Sequence, residues 1–181
     1  MELAIPSIPM ADLNNLRIVY YPDSALRVPG KALDRIDDRI RQVAARMVEL
    51  MHQARGVGLA GPQVGLAWRL FVSNPTGEPG QDRVFINPRL RDHGRQAETR
   101  EEGCLSLPNI NAQITRPISV IIEAINEHGE PFTLSSDSLP ARIWQHECDH
   151  LDGILITDRM TPFDKMANRS VLRELEQKAK K

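Results

Sequence analysis

The segment Gln145-His146-Glu147-Cys148-Asp149-His150 holds two histidines four residues apart, with a glutamate directly after the first. On a helix, such positions project from nearly the same side, so both imidazoles can grip one divalent cation. Glu147 then reaches a water at that cation, which is the arrangement of a metal-dependent hydrolase.

Two imidazoles leave the cation short of ligands, because catalytic sites of this kind generally take three from the protein and keep a further position for water. The candidates for the third are Cys104, Cys148, Asp149, Asp152, Glu101, Glu102, His52, His93 and His128. At about 100° per residue, Cys148 points roughly 200° from His146 and roughly 160° from His150, which removes it. It reads as a core thiol. Cys104 lies in Glu102-Gly103-Cys104-Leu105-Ser106-Leu107-Pro108, where Gly103 permits a tight backbone and Pro108 closes the segment. A thiolate with two imidazoles suits zinc or ferrous iron, although the spacing fits an ordinary buried thiol equally well. His52, His93 and His128 read as solvated residues of a helix end, a polar loop and a hairpin turn.

The elements that must position these residues can be read from periodicity. Ile36, Ile40, Val43, Met47, Leu50 and Met51 recur at spacings of three and four, which predicts an amphipathic helix over 34–54. Residues 56–65, with four glycines and a proline, read as a loop or sharp turn in which backbone can approach a partner closely. Strand patterns follow at 68–73, 84–90, 118–126 and 131–134, the last two joined by a hairpin turn at 127–130. Ser136, Asp137 or Ser138 can cap a helix over 139–152, with Pro140 in its first turn and Gly153 ending it. That helix carries the metal motif. A short strand at 154–157 and a helix from about 162 to 181 complete the chain, while the prolines of residues 1–33 keep the start irregular, with 1–16 as an arm. The expected class is α+β: a mostly antiparallel sheet packed around a central metal-binding helix, with an N-terminal and a C-terminal helix.

Length and composition fit one domain over 1–181, with 41% hydrophobic residues to supply a core. A net charge of −1 offers no overall field for nucleic acid or an anionic membrane, so neither is expected as a partner. Two cysteines make no disulfide framework. The first 16 residues lack Lys and Arg, and no apolar run nears the ~20 residues that cross a bilayer. The expectation is a cytoplasmic protein, and a monomer for want of a heptad seam.

Three segments then carry a resemblance: Gly56-Val57-Gly58-Leu59-Ala60-Gly61-Pro62-Gln63, Glu102-Gly103-Cys104-Leu105-Ser106, and Gln145 to Gly153. In order and separation they resemble the three motifs of peptide deformylases, of the bacterial type that ends in a long helix. The resemblance implies removal of the formyl group from the N-terminal formylmethionine of new polypeptides. It implies Cys104, His146 and His150 as metal ligands, Glu147 as general acid/base, and Gln63 with the backbone N–H of Leu105 as donors to the formyl oxygen. The ion it implies is ferrous, with zinc as a substitute. Leu139 and Ile143, on the His146 face of the helix, would with Val57 and Leu105 enclose the methionine side chain. Gly58 and Gly56 would let the peptide add as a strand.

Gly61 stands where the family usually has alanine, which is expected to loosen the loop carrying Gln63. Arg100 and Arg142 are expected near the pocket mouth. The basic residues Arg169, Arg173, Lys178, Lys180 and Lys181 of the last helix form either an ordinary charged face or a contact to the ribosome. Three alternatives stand beside this reading. One is a His-Glu-x-x-His metallopeptidase using Asp152 or a distant glutamate as third ligand, and one is a binding module whose structural metal site uses both cysteines. The third is an inactive relative associated with the ribosome.

Overall fold

The computed structural model of the protein describes residues 13–180. Most of the proposed arm, residues 1–12, therefore lies outside the described residues, as does Lys181. Helix α1 spans Asp38–Gln53 and buries Ile40, Val43, Ala44, Met47, Leu50 and Met51, the stripe that the spacing predicts. It begins later than expected because the Asp37 side chain accepts a hydrogen bond from the Ile40 N–H, at 3.1 Å, and so caps the helix there.

The glycine-rich segment is more ordered than a loop. It forms strand β1 (Gly58–Ala60) and then one 3-10 turn over Gly61–Val64, closed by Gly65 in the left-handed region at φ 77°. Strands β2 (Leu70–Ser73), β3 (Arg83–Arg91), β4 (Ala97–Cys104), β5 (Leu107–Pro117), β6 (Val120–Ile125) and β7 (Pro131–Ser136) follow. β1, β2, β3, β6 and β7 form an antiparallel sheet in the order β1-β2-β3-β6-β7, which among the described residues leaves one side of β1 as an edge. The hairpin turn between β6 and β7 lies where the sequence places it.

Strands β4 and β5 pair as a separate two-stranded sheet and were not expected. β4 reads as a run of charge, and its buried residue is the acidic Glu102. No hydrophobic alternation marks such a strand.

Helix α2 (Leu139–Leu151) has Pro140 in its first turn and ends before Gly153, whose φ is 73°. β2 lies between the two main helices. Leu70 and Val72 face the α1 cluster, while Phe71 packs with Trp144 and Cys148 of α2. Each fully buried side chain of this size contributes about 1.5–3 kcal/mol, so the sandwich is the main force holding α2 against the sheet.

After α2 the expected strand at 154–157 is absent. Helix α3 (Ile156–Arg159) starts there, because the Leu155 N–H donates to the Asp158 carboxylate at 2.8 Å. The expected last helix is divided into α4 (Pro162–Ala167) and α5 (Arg169–Lys178). At the break, the Asn168 side chain donates to the Asn111 carbonyl of β5 at 3.0 Å. Leu155, Ile156, Met160 and Leu175 join Leu107, Ile110, Ala112 and Ile114 in a third core cluster. The C-terminal segment thus braces the hairpin that carries Cys104.

Candidate active site

α2 presents His146 and His150 with their Nε2 atoms 3.2 Å apart, and the Cys104 Sγ lies 3.2 Å from the Nε2 of His150. All three donor atoms fall within 4.8 Å of one another. A register shift between Gly103 and Cys104, followed by a turn at Leu105 and Ser106, brings the end of β4 over the helix. Bonds of about 2.0–2.3 Å around a tetrahedral ion put its ligands roughly 3.3–3.6 Å apart, so the donor set fits one such cation with little movement.

Gln63 comes from the 3-10 turn. Its Oε1 accepts the Ala60 N–H at 2.8 Å, which orients its Nε2 toward Ser106 Oγ at 3.3 Å and Cys104 Sγ at 3.6 Å. A Cβ on Gly61 would stand 2.6 Å from the Trp68 carbonyl oxygen, so the glycine is tightly packed. Leu105 lies against Gly56, whose Cβ would come within 2.5 Å of a Leu105 methyl.

Glu147 is buried, with 4% of its surface exposed, and its Oε2 has no hydrogen-bond partner among the described residues. Burial raises its carboxyl to about 7, against the lowering effect of His146 and Arg116. A group poised there can take up and give back a proton near neutrality.

Behind the histidines lies an ion network that sequence reasoning missed. Glu102 Oε2 accepts from His146 Nδ1 at 3.1 Å, and both Glu102 oxygens accept from Arg116, at 2.6 and 2.9 Å. Arg116 also donates to Asp149 at 2.8 Å, and Asp149 is paired with Arg159. Glu102 and Asp149 are therefore engaged around the cluster rather than within it. Burial alone would raise the Glu102 carboxyl, but the hydrogen bonds from His146 and Arg116 override it and hold the group well below the ordinary range. Burial also opposes charge on His146, yet Cys104 and Glu102 beside it raise that imidazole to about 10. His150 is held low by burial and by the charges of His146 and Arg116. The available signal was Arg116 in β5, at an inward position in step with Ile110, Ala112 and Ile114.

A cavity of about 370 Å³ opens beside these groups. Val57, Gly58, Leu105, Leu139 and Ile143 line it, as does Arg142. The Arg142 head is engaged by Glu102 and by the carbonyls of Ile114 and Glu98. Arg100, expected at the mouth, is not among the lining residues and pairs with Glu98. Cys148 sits in the core between sheet and helix, where burial pushes its thiol up to about 12. His52 is exposed but not free, since its Nε2 lies 2.6 Å from Asp82. His93 and His128 are exposed.

A family model described as polypeptide deformylase matches residues 15–166, which include every residue of this site. The chain belongs to the polypeptide deformylase family. This family member is 44% identical over 165 residues to the chloroplastic/mitochondrial peptide deformylase 1B of Arabidopsis thaliana, an alignment covering 90% of the chain and 60% of the relative. It is also 44% identical over 146 residues to the peptide deformylase of Neisseria gonorrhoeae, covering 81% of the chain and 87% of the relative. The chain thus spans about three fifths of the plant relatives it matches and most of the bacterial one. Among solved structures, a plant peptide deformylase superposes with a TM-score of 0.87 at 40% identity, covering 99% of this chain and 94% of that one. The Plasmodium falciparum peptide deformylase gives 0.88 at 35% identity, with 91% and 97% covered. The antiparallel sheet around a metal-motif helix is therefore the deformylase fold.

Proposed function

We propose that the protein removes the formyl group from the N-terminal formylmethionine of newly made polypeptides and releases formate. The observation that carries this reading is the convergence of Cys104, His146 and His150 at one end of a cavity that Glu147 and Gln63 also face, in a member of the deformylase family.

A divalent cation held by Cys104 Sγ and the Nε2 atoms of His146 and His150 would polarise the formyl carbonyl and acidify water. Glu147 accepts the proton of the attacking water and delivers it to the departing amine. The C–O bond forms, the C–N bond breaks, and formate leaves with a free α-amino group. Gln63 Nε2 and the Leu105 N–H donate to the formyl oxygen as charge develops there. Val57, Leu139 and Ile143 receive the methionine side chain, and the edge of β1 at Gly58 pairs with peptide backbone. Side chains after the methionine then contribute little, which makes the substrate range broad.

The thiolate and imidazole donors suit ferrous iron or zinc alike, and the resemblance to the family makes ferrous iron the proposed ion, with zinc as a substitute. The reading takes 1–181 as one catalytic domain acting as a cytoplasmic monomer on nascent chains. Arg169, Arg173 and Lys180 are exposed and available for a ribosome contact, whereas Lys178 pairs with Glu174. The peptidase alternative is disfavoured because Asp152 pairs with Arg69 at 2.8 Å and Cys104 stands in the third position. A structural site using Cys148 is disfavoured by the burial of that thiol in the core.

The test is formate release from a formyl-Met peptide by protein purified without oxygen, run beside an assay of internal peptide cleavage. Formate without internal cleavage is expected. Internal cleavage without formate would overturn the reading.

A further inference from the structure

Gly58 lies in strand β1 and is not among the glycines with positive φ, so its φ does not call for glycine. Main-chain pairing at the edge of β1 does not call for it either, because strand residues of any type offer the same N–H and C=O. The space around it does. A Cβ on Gly58 would stand 2.3 Å from Oε1 of Glu147, 2.8 Å from its Cδ and 2.9 Å from its Cγ. The carboxyl group of Glu147 occupies the volume that any other residue at 58 would fill.

We propose that Gly58 is a positioning residue for Glu147: its missing side chain is the seat of the acid/base carboxylate, beyond any part it has in pairing with substrate. The proposal rests on the deformylase reading above. Relieving the clash to an ordinary contact requires the carboxylate to move by about 1 Å. Glu147 is the element that yields, because its carboxylate is the end of a flexible side chain whose Oε2 no hydrogen bond from the described residues holds. β1, by contrast, is held by its pairing with β2, Gly58 opposite Ser73. The chain therefore folds with alanine at 58, but with the carboxylate displaced. A displacement of this size at a reacting group typically lowers the rate on the order of 10²-fold.

The experiment compares wild type, Gly58→Ala, Glu147→Ala and the double variant, each loaded with Zn²⁺, using formate release, metal content and thermal unfolding. For Gly58→Ala we expect about one metal per chain, a cooperative melt, KM within about threefold of wild type and kcat lower by about 10²-fold. Alanine at 147 removes the Cγ, Cδ and Oε1 that a methyl at 58 would meet. The double variant should therefore have the kcat of Glu147→Ala alone, so that the two losses do not multiply. Multiplying losses, or a Gly58→Ala enzyme with KM raised more than about tenfold and kcat intact, would overturn the proposal and leave Gly58 as a substrate contact. Should Gly58→Ala melt without cooperativity, the comparison of the double variant with Glu147→Ala decides alone. Wild type that releases no formate would overturn the activity reading, and the assignment of Glu147 with it. Formate release with multiplying losses overturns the Gly58 assignment only.

Discussion

The Nδ1 of His146 lies 3.1 Å from Oε2 of Glu102, which leaves Nε2 of the same ring facing Nε2 of His150 at 3.2 Å. A carboxylate behind a ligating imidazole fixes the ring's orientation and raises its basicity, and its loss typically weakens metal binding 10–100-fold. Glu102→Gln should show a loss in that range for Zn²⁺ in a chelator competition. Unchanged affinity would mean that Glu102 serves only the arginines around it.

Glu147 touches none of the three donor atoms through a hydrogen bond, and its burial keeps it beside them. Glu147→Ala should retain about one metal per chain while kcat falls by about 10²–10⁴-fold, the usual worth of a positioned acid/base. Metal content and formate release measured on the same preparation check this, and retained turnover would remove Glu147 from the reaction.

The Gln63 carboxamide is oriented by the Ala60 N–H, so its donor is set before substrate arrives. Gln63→Leu keeps the bulk and removes the donor, and kcat should drop about 10²–10³-fold with little change in KM. A rise in KM with kcat preserved would show that Gln63 binds substrate and transition state equally.

The two cysteines should separate cleanly. Cys104→Ser is expected to lower metal content in dialysed protein, because a hydroxyl replaces the thiolate. Cys148→Ser should keep the metal and lose about 1–3 kcal/mol of stability, since it buries a hydroxyl among apolar neighbours. The reversed pattern, read by metal analysis and denaturant melts, would displace Cys104 from the site.

Acid should act through Glu102. The folded protein holds this carboxyl well below its ordinary 4.5, so the unfolded chain takes up the proton first as pH falls. The stability contributed by the group is complete above 4.5 and is lost progressively below it. Thermal melts from neutrality down to about pH 3 should show a steeper decline for wild type than for Glu102→Gln, which starts less stable. Parallel curves would locate the acid sensitivity elsewhere.

The sequence by itself determined the features that depend on neighbours along the chain. The phase of His146, Cys148 and His150 on α2 follows from 100° per residue, and it separated ligand candidates from a core thiol before any contact was known. The stripe of α1 and the strand-like runs of β2, β3, β6 and β7 were legible for the same reason. Only the tertiary structure decided what depends on distant partners. β4 is a strand although it is charged, because Arg116 and Arg142 neutralise the Glu102 that it buries. α3 replaces a strand because Asp158 turns back to the Leu155 N–H, and the last helix breaks where Asn168 reaches β5. The emptiness at Gly58 is explained by a carboxylate on a different element. Periodicity encodes which face of an element is apolar, whereas the partner of a buried charge, or of a missing side chain, exists only once the elements have packed.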